Sequence, residues 1–176
     1  MMMNKILIAF FLLACTIFVF LQMRPTQRKL KTPETPLGIL NLEFAYNTDH
    51  TSKVLNAWKI DDKIQAAKTN TYIDFGLLLF YSLFIFYSCK ELSKNFSGNI
   101  RSIGIGLSKA ALVAGLLDVI ENSGMLITLS GNQSIIISSI TAICSSVKWL
   151  LAVFGILYII FISPLALYRF IKIIYL

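Results

Sequence analysis

Hydrophobic positions gather into four long runs along the chain, at about residues 6–22, 72–89, 103–129 and 135–162. A helix needs about 20 mostly apolar residues to cross a hydrocarbon core roughly 30 Å thick. The pattern therefore predicts an all-α, integral membrane four-transmembrane-helix bundle, a single membrane domain over residues 1–176.

Polar residues inside the runs fall at helical spacing. On the third run Gly104, Ser108, Ala111, Gly115, Asp118, Asn122 and Met125 recur at steps of three and four, which puts them on one face. Ser138, Thr141, Ser145, Lys148, Ala152 and Gly155 make the same pattern on the fourth, and Ala67, Asn70, Asp74, Leu77, Tyr81 and Ser88 share a side of the second. Small residues let helix backbones approach closely in lipid, so these faces are expected to meet. Counted from the third loop, "SGNQS", Asp118 lies roughly 17 Å and Lys148 roughly 20 Å along their helices. Glu121, turned about 60° from Asp118, can reach toward a different neighbour than Asp118 does.

The candidate site is thus Asp74, Asp118, Glu121, Asn122 and Lys148, with Tyr81. A lone charge at a helix centre costs roughly 2.5–3.5 kcal/mol, so four independent ones would cost on the order of 10 kcal/mol, the whole stability of a small domain. Either Lys148 pairs with one acid while another is protonated, or the group surrounds a water-filled cavity.

Between the first two runs the pattern changes character. Pro25, Pro33 and Pro36 predict an extended stretch up to Gly38. "LGILNLEFAYN" is then too apolar for a solvated connector, and "TDHTSKVLNAW" places Val54, Leu55 and Trp58 on one face of a short amphipathic helix at about 48–58. Thr48 or Asp49 is its expected cap. The helix is expected on the membrane surface or across one end of the bundle, with Trp58 anchored at the interface. Asp61 or Asp62 caps a further helix that runs unbroken into the second span. Glu43 and His50 read as plain loop residues, although apolar neighbours would let Glu43 fold down over the cluster.

Composition agrees with a membrane protein: 56 % of residues are hydrophobic, 14 % are charged and the mean hydropathy is +0.72. The net charge of +7 sits mostly beside the apolar runs, in "RPTQRKLK", "CKELSK" and "YRFIK". That placement fits anionic lipid head groups and topology signals, not nucleic acid. Lys90, Lys94, Arg101, Arg169 and Lys172 favour cytoplasmic N- and C-termini, against the basic residues of the long first loop, which obeys the rule weakly. Lys5 ahead of an apolar run also opens secretory signals, and "LLAC" loosely resembles a lipoprotein box; the apolar run continuing past Cys15 favours an uncleaved first helix.

Cys15, Cys89 and Cys144 lie in or beside apolar segments and read as apolar fillers; with His50 the sole histidine, neither a metal nor a cofactor is expected. Nucleotide-loop, nucleophile-elbow and metalloprotease motifs are missing from the sequence.

The segments "NLEFAYNTDHTSKVLNAW", "IDFGLLLFYS", "LLDVIEN" and "VKWLLAVFGILYII", in that order, resemble a family of small bacterial membrane proteins of uncharacterised function. The likeness covers about residues 37–162, and "LDVIEN" with its downstream lysine is the most distinctive part. It implies a four-helix bundle with a short surface helix before the second span, in a bacterial inner membrane, and no particular activity. Three function classes remain. A non-enzymatic structural or accessory subunit, alone in a homo-oligomer or in a larger membrane complex, is the leading expectation. A protein that binds or transports a small molecule, lipid or proton is the second. A lipid- or isoprenoid-modifying enzyme, with Glu121 or Asp118 moving a proton beside Lys148, is the third.

Overall fold

The computed structural model describes residues 2–59 and 62–175. These residues form six helices: α1 (Met2–Lys29), α2 (Leu40–Glu43), α3 (Thr48–Trp58), α4 (Lys63–Ser93), α5 (Gly98–Leu129) and α6 (Ile135–Tyr175). Four segments are long and apolar enough to cross a membrane, Lys5–Lys29, Lys63–Ser93, Gly98–Leu129 and Ile135–Arg169. Each helix outlasts its apolar run on at least one side, because wet turns continue the backbone ladder where packing supports it.

The long helices form a three-helix core, α4, α5 and α6, with α1 laid along the outer side of α4. The small-residue faces of α5 and α6 do turn inward. A Cβ on Gly115 would lie 3.0 Å from Ser82 Oγ of α4, and one on Gly155 would run into Ile85. Cys89 Sγ also donates to the Gly155 carbonyl oxygen, 3.6 Å away. α4 buries two sides, one toward α1 and one toward the core. Thr71, Leu78, Ser82, Ile85 and Cys89 are therefore buried besides most of the predicted stripe, and Asn70 turns away from the cluster to donate to Thr26 Oγ1 at 2.7 Å and the Met23 carbonyl oxygen at 3.2 Å in α1.

At one end of the bundle Lys5 pairs with Glu91 at 2.9 Å, and Arg169 donates to the Asn95 carbonyl oxygen at 3.0 Å and lies over the Phe96 ring. The other end is closed by a lid, α2 and α3. Thr51 shares a hydroxyl hydrogen bond of 2.9 Å with Ser138, Ser52 donates to Gln133 Oε1 at 2.8 Å, and Ser139 to the Tyr46 carbonyl oxygen at 3.0 Å. Beneath the lid Leu30, Ile39, Leu42, Val54, Leu55 and Trp58 pack on Ala67, Met125 and Leu129.

Four local expectations are corrected. Pro25 lies inside α1, which continues to Lys29. Its missing N–H costs a helical bond, but Asn70 holds the adjacent turn and Leu30 is fully buried under the lid. The stretch after it is a turn and not extended: Thr32 and Thr35 exchange backbone hydrogen bonds, and Gln27 brackets Gly38 by donating to the Leu37 carbonyl oxygen at 2.9 Å and accepting from Ile39 N–H at 3.0 Å. Gly38 has φ +60°, the left-handed region that favours glycine, and a Cβ there would lie 2.8 Å from Gln27 Oε1 and displace the amide that brackets the turn. Asn47 caps α3, its Oδ1 accepting from His50 N–H at 2.8 Å; Thr48 and Asp49 already lie within the helix. Asp62 precedes α4 at φ 56° with no side-chain cap, and Asp61 lies outside the described residues.

The fourth correction concerns Trp58. It is no interfacial anchor but fully buried, its indole N–H donating to the Leu30 carbonyl oxygen at 3.0 Å and Thr35 Oγ1 at 3.1 Å. The aromatic side chains that the lid leaves exposed are Phe44 and Tyr46. Trp58→Phe keeps most of the ring but removes the indole N–H, leaving the Thr35 hydroxyl to donate to the Leu30 carbonyl at 2.8 Å. It is expected to cost about 1 kcal/mol, read as faster amide hydrogen exchange over residues 30–58 with α5 and α6 unchanged.

Candidate functional site

The predicted stripes converge within the core helices, nearer the lid end than the other. Lys148 Nζ on α6 lies 2.7 Å from Asp118 Oδ1 and 2.9 Å from Glu121 Oε1 on α5. The two acids thus grip one ammonium, although the turn between them would also let Glu121 reach another neighbour. Their 60° separation around the helix is bridged by side-chain length, and Lys148, on a long flexible stem, sits between them.

Asp118 is the best-supported carboxyl. Besides Lys148, its Oδ1 accepts from Asn122 Nδ2 at 3.3 Å and its Oδ2 from the Tyr81 hydroxyl of α4 at 2.9 Å. Asn122 also donates to Asp74 Oδ2 at 3.1 Å, which ties α4 to α5 a second time. All six predicted residues therefore meet: Asp74 and Tyr81 from α4, Asp118, Glu121 and Asn122 from α5, and Lys148 from α6.

A seventh comes from the lid. Glu43, at the end of α2, is only 5 % exposed, and its Oε2 accepts from Ser145 Oγ at 3.2 Å and Trp149 Nε1 at 3.4 Å, with Lys148 Nζ at 4.0 Å. The sequence hint was the apolar company of Leu42 and Ala45, both buried. Trp149 carried no such hint, since it is half-exposed and off the α6 stripe.

The site is closed. Side-chain exposure is 7 % for Lys148, 2 % for Asp118, 0 % for Glu121 and 6 % for Glu43. The crevice between lid and bundle, lined by Leu42, Ala45, Thr51, Met125, Thr128, Ser138 and Thr141, has no room for a water molecule. Sealed carboxyls on one nitrogen lie within two hydrogen-bond lengths of each other, and like charges about 4 Å apart in such a setting repel by about 4 kcal/mol. Three buried polar atoms around the site find no partner: Glu121 Oε2, Asn122 Oδ1 and Thr141 Oγ1.

No family model, curated protein or solved structure matches this chain. What the cluster does must be argued from its own chemistry. It joins three helices and a lid through charge-assisted hydrogen bonds, the strong class of such bonds.

Asn122 serves two carboxyls and Tyr81 serves one, so their removal is predicted to differ. Tyr81→Phe is expected to cost about 1 kcal/mol, since Asp118 keeps two donors, and Asn122→Leu about 2–3 kcal/mol, since Asp74 and Asp118 both lose one. Thermal unfolding in detergent, followed by circular dichroism, checks the order.

Proposed function

We propose that this multi-pass membrane protein is non-enzymatic, a structural or accessory subunit whose polar cluster fixes the pairing and register of three helices and clamps the lid on them. The observation that carries this reading is closure. The charged groups face one another, and the crevice beneath the lid has no room for water, let alone a substrate. A catalytic or transport site needs an approach for its ligand; an ordering device needs none. Buried ion pairs can specify an arrangement without adding net stability.

An accessory role calls for partners. α5 and α6 turn Leu116, Ile143 and Phe161, each more than 60 % exposed, away from the core, a surface suited to lipid or to a second subunit in a homo-oligomer or larger membrane complex. In the proposed orientation both termini are cytoplasmic, in a bacterial inner membrane. In its support, Lys5, Lys90, Lys94, Arg101 and Arg169 gather at the end away from the lid, where each basic group gains about 1 kcal/mol near an anionic lipid surface. Lys172 follows in sequence, its side chain outside the described residues.

The reading predicts a rescue. Lys148→Met alone leaves Asp118 and Glu121 without their cation and is expected to destabilise by about 3–5 kcal/mol. Adding Asp118→Leu, Glu121→Leu and Glu43→Leu to Lys148→Met should restore the thermal midpoint and the protection of the lid. A quadruple variant that folds but stays as unstable as Lys148→Met counts against an ordering role.

A further inference from the structure

We propose that the closed cluster is a proton-binding site centred on Glu121, and that loss of its proton releases the α2 end of the lid through Glu43. The inference rests on the clamp reading above, because it names what loads and unlocks the same clamp.

The titratable groups facing the site are Glu43 from α2, Asp74 and Tyr81 from α4, Asp118 and Glu121 from α5, and Lys148 and the buried Cys144 thiol from α6. α1 and α3 turn charged or titratable side chains such as Arg24, Arg28, Asp49 and His50 outward. Four carboxyls thus gather around one ammonium, with Asp118, Glu121 and Glu43 within 4.0 Å of it and Asp74 reached through Asn122. Asp118 takes three donors, from Lys148, Asn122 and Tyr81, and is the carboxylate that this ammonium neutralises. Ionising Glu121 as well would place a second carboxylate on the same ammonium inside a buried site, so the proton stays with Glu121.

A second, independent observation points to the same group. Glu121 is fully buried, its Oε1 spent on Lys148 and its Oε2 without any partner. As a carboxylate it would present a bare anionic oxygen beside ionised Asp118; as a carboxylic acid it presents a neutral one. Release is then simple proton transfer. The O–H bond at Glu121 breaks, its electron pair stays on the carboxylate, and the proton passes to bulk water or hydroxide.

The new charge repels its neighbours unequally. Asp74 and Asp118 sit within long packed helices, but Glu43 ends a four-residue helix and is held by two neutral donors, Ser145 and Trp149, with the Lys148 ammonium only at 4.0 Å. Glu43 is therefore the group that moves, and α2 lifts with it. Closing the lid takes up a proton, so the closed form is favoured at low pH and weakens as pH rises, by up to about tenfold per pH unit for one linked proton.

The full-length protein in phosphatidylcholine nanodiscs tests both halves. Infrared spectra between about pH 5 and about pH 9 should show the carbonyl band of protonated carboxylic acid, with a component that fades on alkalinisation and is lost in Glu121→Gln. Should Glu121→Gln fail to fold, Glu121→Asp must shift the band. Amide deuterium exchange over residues 40–46 should quicken with pH in the native chain and lose that dependence in Glu43→Gln. A native chain without the band, or a band unmoved by either Glu121 variant, overturns the proton site; pH-independent exchange over residues 40–46 in the native chain overturns its link to the lid. Neither readout depends on the thermal rescue, so the clamp reading and the proton site stand or fall separately.

Discussion

Lys148 and the two carboxyls that grip it set the terms for the rest of the molecule. A charge in the hydrocarbon layer costs roughly 2.5–3.5 kcal/mol even on lenient scales, so each charged side chain must be met by partners wherever it sits. Meeting Asp118 and Glu121 obliges α6 to run beside α5 with Lys148 at their depth. Asn122 and Tyr81 make the same demand on α4. These bonds form only when the helix backbones come close, and the small residues above and below the cluster allow it. Gly155 against Ile85 leaves no space for a side chain, and a Cβ on Gly115 would have to push Ser82 aside. Dispersion along the stripe and electrostatics at its centre select the same register.

The cluster also accounts for the lid. Helices alone leave the Lys148 end of the group open toward Ser145 and Trp149, and Glu43 fills that gap. The lid that carries it is not a loose loop. Its chain leaves α1 through a turn that Gln27 staples on both sides of Gly38 and is fixed again where Trp58 bonds the Leu30 carbonyl and Thr35. Hydroxyl and amide contacts from Thr51, Ser52 and Ser139 then position it on α6 and the third loop. The apolar layer beneath supplies adhesion, and these directional bonds supply the angle at which α2 meets the bundle.

Periodicity made the spans, the inward stripes of α5 and α6, and the six cluster residues legible in the sequence, because in a helix spacing alone decides which residues share a face. It was less informative for α4, which buries two sides, since α1 lies along one of them. Asn70 therefore fits the stripe by spacing and yet bonds to α1. Local rules misjudged the first loop because tertiary contacts overrode them. Pro25 stays helical within a turn that Asn70 grips, and Trp58, whose composition suits an interface, finds two buried acceptors instead. Glu43 was ambiguous since its partners Ser145 and Trp149 lie more than 100 residues away. The sequence shows an acid among apolar neighbours, but only the folded lid shows what they cover.

The balance of charge distinguishes this site from an ordinary buried ion pair. A structural pair needs one acid for one base, and the second acid adds repulsion that a helix register does not require. Here Glu121, Asp74 and Glu43 all stand beyond the Asp118–Lys148 pair. Removing any of them would reduce the like-charge penalty while leaving the small-residue stripes and the remaining hydrogen bonds to hold the helices. Their presence is costly on stability grounds alone. An excess of carboxyls makes physical sense if some are neutral in the closed form, because a protonated acid packs without that penalty while remaining able to acquire charge. Glu43 adds to the argument by its position. It is the acid carried by the shortest helix and bonded through neutral donors, so it combines contact with the cluster and freedom to leave it. The same excess that burdens a static clamp gives the lid a reason to respond to proton loss.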